Sequence, residues 1–102
     1  MSHSTRFPSR SFKKKFEKTL ILISQKDIQE NVMKAVEGLE QNPRPFGHKA
    51  FKILTPPIKF NALVAQYRLR VGNYRILYDV DDDRKIVWIL FLKKRDEKTY
   101  KA

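Results

Sequence analysis

The stretch Tyr67-Arg68-Leu69-Arg70-Val71-Gly72-Asn73-Tyr74-Arg75-Ile76-Leu77-Tyr78-Asp79-Val80 decides the fold. Period-two alternation sends Tyr67, Leu69 and Val71 to one side of a strand and Gln66, Arg68 and Arg70 to the other. Gly72-Asn73 is a two-residue hairpin turn, so a second strand runs back from Tyr74 to Val80. That turn sets a register: Val71 opposite Tyr74, Leu69 opposite Ile76, and Arg70 opposite Arg75. One face of the hairpin is apolar and the other is basic.

Further strands fit Lys49 to Leu54, before the hairpin, and Lys85 to Lys93, after it. The stiff segment Thr55-Pro56-Pro57-Ile58-Lys59-Phe60-Asn61 reads as a loop, and Asp81 to Arg84 as a polar turn. Upstream, Phe12, Phe16, Leu20 and Ile23 recur at helical steps, with Lys13, Lys14, Lys15 and Lys18 between them. A second stripe of Ile28, Val32, Val36 and Leu39 follows Ser24, the expected N-cap, and ends at Asn42-Pro43 and Pro45. Residues 6–8 suit a short edge strand limited by Pro8, and residues 95–100 a short final helix. The expected fold is α+β: an N-terminal helical hairpin packed on a four-stranded antiparallel sheet, all 102 residues in one domain. The apolar stripes are core, and Trp88 and Phe91 belong to it by the same burial argument.

The chain holds 22 Lys+Arg against 11 Asp+Glu, a formal net charge of +11, which favours polyanions. With no cysteine and only His3 and His48, separated in sequence, neither a disulfide framework nor a metal or other cofactor is expected. The longest apolar run, Ile86 to Leu92, is far shorter than the roughly 20 residues of a membrane-spanning helix. The N-terminus lacks the apolar core of a secretory signal, so a cytoplasmic protein without a membrane partner is expected.

Arginines directly opposite one another repel, at a cost of about 0.2–1 kcal/mol in exposed pairs. A shared anion removes that repulsion, and the guanidinium fork matches phosphate. Arg68, Arg70 and Arg75 are therefore a candidate phosphate-binding cluster. The alternative is a solvated face on which aspartates such as Asp79 pair with the arginines.

The stretch 67–80 closely resembles the central hairpin of the RelE/ParE toxin superfamily. The tail Phe91-Leu92-Lys93-Lys94-Arg95-Asp96-Glu97-Lys98-Thr99-Tyr100-Lys101 is similar to that family's C-terminal basic segment. In the RelE branch the resemblance implies metal-independent cleavage of messenger RNA in the ribosomal A site by basic residues and a tyrosine. Carried over by position, the catalytic set is Arg68, Arg70, Arg75, Arg95 and Tyr100, with Lys52, Lys93 and Lys94 as RNA contacts. Messenger and ribosomal RNA are the implied partners, together with an acidic RelB-like antitoxin. Arginine stays protonated at ordinary pH and makes a poor general base, so the base is left open. The alternatives are a ParE-like inhibitor that binds DNA gyrase without catalysis and a homologue that only binds nucleic acid.

Overall fold

The N-terminal helix begins where Ser9 Oγ accepts a hydrogen bond from the Phe12 amide at 3.4 Å. A computed structural model describes residues 2–95, and in it α1 spans Arg10–Ile21 and α2 spans Lys26–Gln41. The second cap differs from expectation: Gln25, not Ser24, occupies it without a side-chain bond to the helix, and Ser24 Oγ instead donates to Gln25 Oε1. The α2 stripe behaves as the spacing predicts, with Val32, Val36 and Leu39 buried.

Five strands follow the order β1-β5-β4-β3-β2, where β1 is Ser4–Arg6, β2 Phe51–Phe60, β3 Leu63–Val71, β4 Tyr74–Asp81 and β5 Ile86–Lys94. The sheet is therefore mixed and five-stranded, not a four-stranded antiparallel one. The difference comes from the N-terminus, where Ser4, Thr5 and Arg6 pair in parallel with Ile86, Val87 and Trp88. Glu40, near the end of α2, fixes this short strand by accepting from the Thr5 amide and hydroxyl at 3.2 and 3.1 Å. Pro8 lies just past it, in the segment leading to α1.

The segment expected as a loop is also strand. β2 continues through Pro56 and Pro57 to Phe60, its pairing with β3 shifting between Ile53 and Ile58. Both prolines are tolerated because β2 is an edge strand and the register slips at them. The register across the central turn is as read: Val71 faces Tyr74, Leu69 faces Ile76 and Arg70 faces Arg75. Gly72 takes φ +57 there, a conformation that favours glycine, and a Cβ would lie 3.0 Å from Ile28 Cδ1 of α2, so any side chain here would be strained and would press on Ile28.

Helices and sheet enclose the main core, in which Phe16, Val32 and Leu39 meet Leu69, Ile76, Tyr78, Val87 and Ile89. A second, smaller cluster of Ala65, Leu77 and Leu90 is joined by Ile58, Phe60, Trp88 and Phe91. Trp88 and Phe91 are thus half-buried members of this second cluster and not of the main core. The reason is a break in register: Leu77 pairs Phe91 while Tyr78 pairs Ile89, so Leu90 is the extra residue of a bulge. Phe60 and Phe91 have ring centroids 4.3 Å apart although β3 and β4 lie between their strands. A flat sheet would separate those strands by about 14 Å. The far end of the β2–β3 hairpin therefore curls over part of the sheet face that carries this second cluster, and Phe12 of α1 reaches the same cluster from the edge, its ring 5.4 Å from Phe91.

Candidate nucleic-acid interface

The uncovered part of that face is basic. Arg70 on β3 lies opposite Arg75 on β4, and Arg75 lies opposite Lys93 on β5, making one cross-strand row of three cations. Beside it, Lys52 on β2 lies opposite Arg68 on β3, which lies opposite Leu77 and then Phe91. The second row begins basic and ends at the aromatic roof. Alternation from the buried residues Leu69 and Ile76 puts all five cations on the side away from the helices.

Local bonds position these side chains. Ala50 carbonyl oxygen accepts from the Arg70 amide at 3.0 Å and from Arg68 Nη2 at 3.3 Å, tying the start of β2 to the basic strand. Lys93 Nζ sits 5.2 Å from the centroid of the Phe91 ring. Asp79 shares this face but accepts from Gln66 Nε2 at 3.0 Å. It stands four residues along β4 from Arg75, about 13 Å away by strand rise, so it is no counter-ion for the Arg70–Arg75 pair. Burial pushes the Asp79 carboxyl above its ordinary value.

The remaining predicted residues divide. Lys94 pairs with Tyr74 and occupies the opposite pleat of β5 from Lys93, so adjacent lysines in sequence serve different faces. Arg95 follows the strand, its amide donating to the Asn73 carbonyl at 2.6 Å, which sets it beside the Gly72-Asn73 turn. Tyr100 and the rest of the expected final helix lie outside the described residues. His48 is exposed, and its Nδ1 accepts from the Ala50 amide at 3.2 Å in the turn entering β2.

A different arginine is fixed on the other side of the molecule. Arg44 donates two bonds to Asp82, at 3.1 and 2.9 Å, and a third from Nε to the Tyr67 hydroxyl at 2.8 Å. These bonds, Asp82 first, hold its guanidinium still more firmly protonated, and the same bond with that of His3 keeps the Asp82 carboxyl below its ordinary value. Sequence reasoning missed this network because its members lie far apart in the chain. It missed the curled roof for another reason: the alternation of Ile58, Lys59 and Phe60 signals a strand, but the two preceding prolines outweighed it.

Among the described residues no group of three His, Asp or Glu converges as a metal site would require, and no helix is long and apolar enough to cross a membrane. What the face presents is the row Arg70–Arg75–Lys93 beside Lys52 and Arg68, an array of positive charge. It can bind phosphates bidentately and stabilise charge developing on one of them.

A family model for the ParE toxin of type II toxin-antitoxin systems, parDE, matches residues 9–99. Among solved structures, the chain is similar to an archaeal RelE in its RelE–RelB complex from Pyrococcus horikoshii OT3. Identity is 25%, the TM-score 0.70, and the match covers 95% of this chain and 99% of that one. The toxin–antitoxin complex RelBE2 from Mycobacterium tuberculosis aligns at 23% identity and TM-score 0.62, covering 93% of this chain and 100% of that one. A mutant of Escherichia coli toxin RelE in the free state aligns at 17% and 0.53, covering 98% and 90%; these last two likenesses concern the fold. No curated protein matches the sequence.

Proposed function

The chain belongs to the ParE toxin family of type II toxin–antitoxin systems, within the RelE/ParE superfamily, and for this member we propose that it halts translation by cutting messenger RNA held in the ribosomal A site. The observation that carries this reading is the row Arg70–Arg75–Lys93 beside Lys52–Arg68 on one open face. In the reaction the ribose 2′-hydroxyl attacks the adjacent 3′-phosphate, a cyclic phosphate forms, and the 5′-oxygen leaves with a proton. Arg75, flanked by Arg70 and Lys93, faces the phosphate and stabilises its extra negative charge. Arg68 and Lys52 hold the neighbouring phosphate and so align the attack. Arg95, at the end of β5, approaches from the side of the turn, and Tyr100 supplies either base stacking or help in proton transfer. No metal takes part in this scheme, and the group that accepts the 2′-hydroxyl proton is unassigned.

An antitoxin is the second partner. The Pyrococcus horikoshii relative forms a RelE–RelB complex, and a net charge of +11 suits an acidic segment that wraps the basic surface. The toxin acts in the cytoplasm on this reading, where ribosomes are.

The family match itself favours a second reading, a ParE-like toxin that binds DNA gyrase without catalysis. One pair of assays separates them. Purified protein is added to a translation reaction, with mapping of messenger RNA 5′ ends, and to a gyrase supercoiling reaction. New ends that require ribosomes are expected, with supercoiling unaffected; intact message with blocked supercoiling would transfer the assignment to gyrase.

A further inference from the structure

The basic row does not stop at the sheet. Lys93, its last member, also lines a cleft of about 170 Å³ at the seam between β5 and α1, together with Lys15, Lys18 and Thr19. We propose that this seam is a second phosphate-binding subsite, which extends the track for an RNA backbone from the sheet face, around the edge of β5, onto α1.

Folding stability does not account for the arrangement. Lys15 and Lys18 are three residues apart on one helical face, where like charges repel. Their neighbours one turn away are Ser11, Phe12, Lys14, Thr19, Ile21 and Leu22, none of them acidic, while Glu17 lies one turn from Lys13 and Lys14 instead. On the sheet side of the seam, Lys93 stands opposite Arg75 of β4. Among the described residues none of Lys15, Lys18 and Lys93 forms an ion pair. Three ammonium groups thus border one small cleft whose floor residues, Phe16, Leu90 and Leu92, are buried.

That lining selects the ligand class. An amphipathic acidic peptide needs exposed apolar anchors, which α1 offers one turn beyond Lys18 at Ile21 and Leu22, each 73% exposed and outside the lining of the seam. The seam offers charge and a hydroxyl, which suit a phosphodiester. From Arg70 to Lys93 the row crosses two strand spacings, about 10 Å, and the seam continues it in the same direction. The inference rests on the RNA-cutting reading for the identity of the polymer, and it assigns α1 to holding RNA, not to chemistry.

The test measures binding of a labelled oligouridylate to the full chain by fluorescence anisotropy over a salt series, without ribosomes. The double variant Lys15→Gln/Lys18→Gln should lower the slope of log K against log salt by about 1.4, two contacts at about 0.7 each. Lys26→Gln/Lys34→Gln on α2 removes the same net charge away from the seam and should leave the slope almost unchanged. Equal slope changes in the two variants would reduce the effect to net charge and overturn the proposal, as would no change in either. Loss of affinity for an acidic antitoxin with RNA binding intact would also overturn it, giving the seam to a protein partner. Failure of the RNA-cutting reading would show elsewhere, as intact message in the translation reaction.

Discussion

The two faces of the sheet use the same residue types to opposite ends. Toward the helices, each prominent polar group has been given a partner: Arg44 is bonded to Asp82 and Tyr67, and the buried Tyr78 hydroxyl donates to the Pro43 carbonyl at 2.7 Å. Rings fill the space between, with Tyr67 5.7 Å from Phe51 and 5.5 Å from Tyr78. On the far face, Arg70, Arg75 and Lys93 stand opposite one another across three strands. Stability chooses the first arrangement and is slightly opposed to the second. The difference teaches that the helix side of the sheet is shaped for packing, whereas the basic row on the far side has the charge pattern that suits an anion.

The largest expected effects test that division directly. Ile76 is fully buried between sheet and helices, and Ile76→Ala should cost about 2–5 kcal/mol through lost burial and the cavity left behind. Urea denaturation gives the value; a loss below about 1 kcal/mol would mean that the helix side is not the stabilising one. One residue earlier in β4, Arg75 points the other way. Arg75→Ala should lower ribosome-dependent cleavage by about a hundredfold or more with its thermal midpoint close to that of the parent. A variant that cleaves at the parental rate would remove Arg75 from the site. Tyr78→Phe should cost about 1 kcal/mol for one buried hydrogen bond and leave cleavage untouched, read from the same two assays.

Much of this contrast was legible in the sequence because it is local. A strand of alternating character, closed by Gly72-Asn73, fixes both faces and the Arg70–Arg75 pairing within a dozen residues, and the paired register is the one that the turn length demands. The helical stripes are local too. What escaped depends on long-range pairing: the sequence suits a short edge strand at residues 6–8, whereas β1 lies at Ser4–Arg6 and joins the sheet in parallel because the edge of β5 and Glu40 accept it there. Lys93 and Lys94 look equivalent as neighbours, and only the pairing of β5 with β4 shows that Lys93 joins the basic row while Lys94 does not. The Thr55–Asn61 segment misled because proline argues against a strand in general, whereas on an edge with a register slip it is compatible with one.

The smallest effects come from two aspartates that sharpen the comparison by pH. Asp82 has its carboxyl held below the ordinary value by Arg44 and then His3, so the folded state binds its proton less readily than the unfolded chain. Its contribution to stability is present above the unfolded value of about 3.9 and is lost as pH falls through the lower folded value. Asp79 has the opposite sign. Burial raises it, so the folded state binds the proton more readily, and the carboxylate opposes folding at neutral pH. Asp82→Asn should therefore flatten the acid limb of the stability curve, with its loss seen at neutral pH and vanishing below the folded value. Asp79→Asn should leave stability at pH 7 equal or slightly higher, with the gain disappearing as the parent's carboxyl becomes protonated. Thermal unfolding of both variants between pH 3 and pH 8 measures the two signs; a destabilised Asp79→Asn at neutral pH would show that the bond from Gln66 outweighs burial, and that the far face carries a stabilising carboxylate after all.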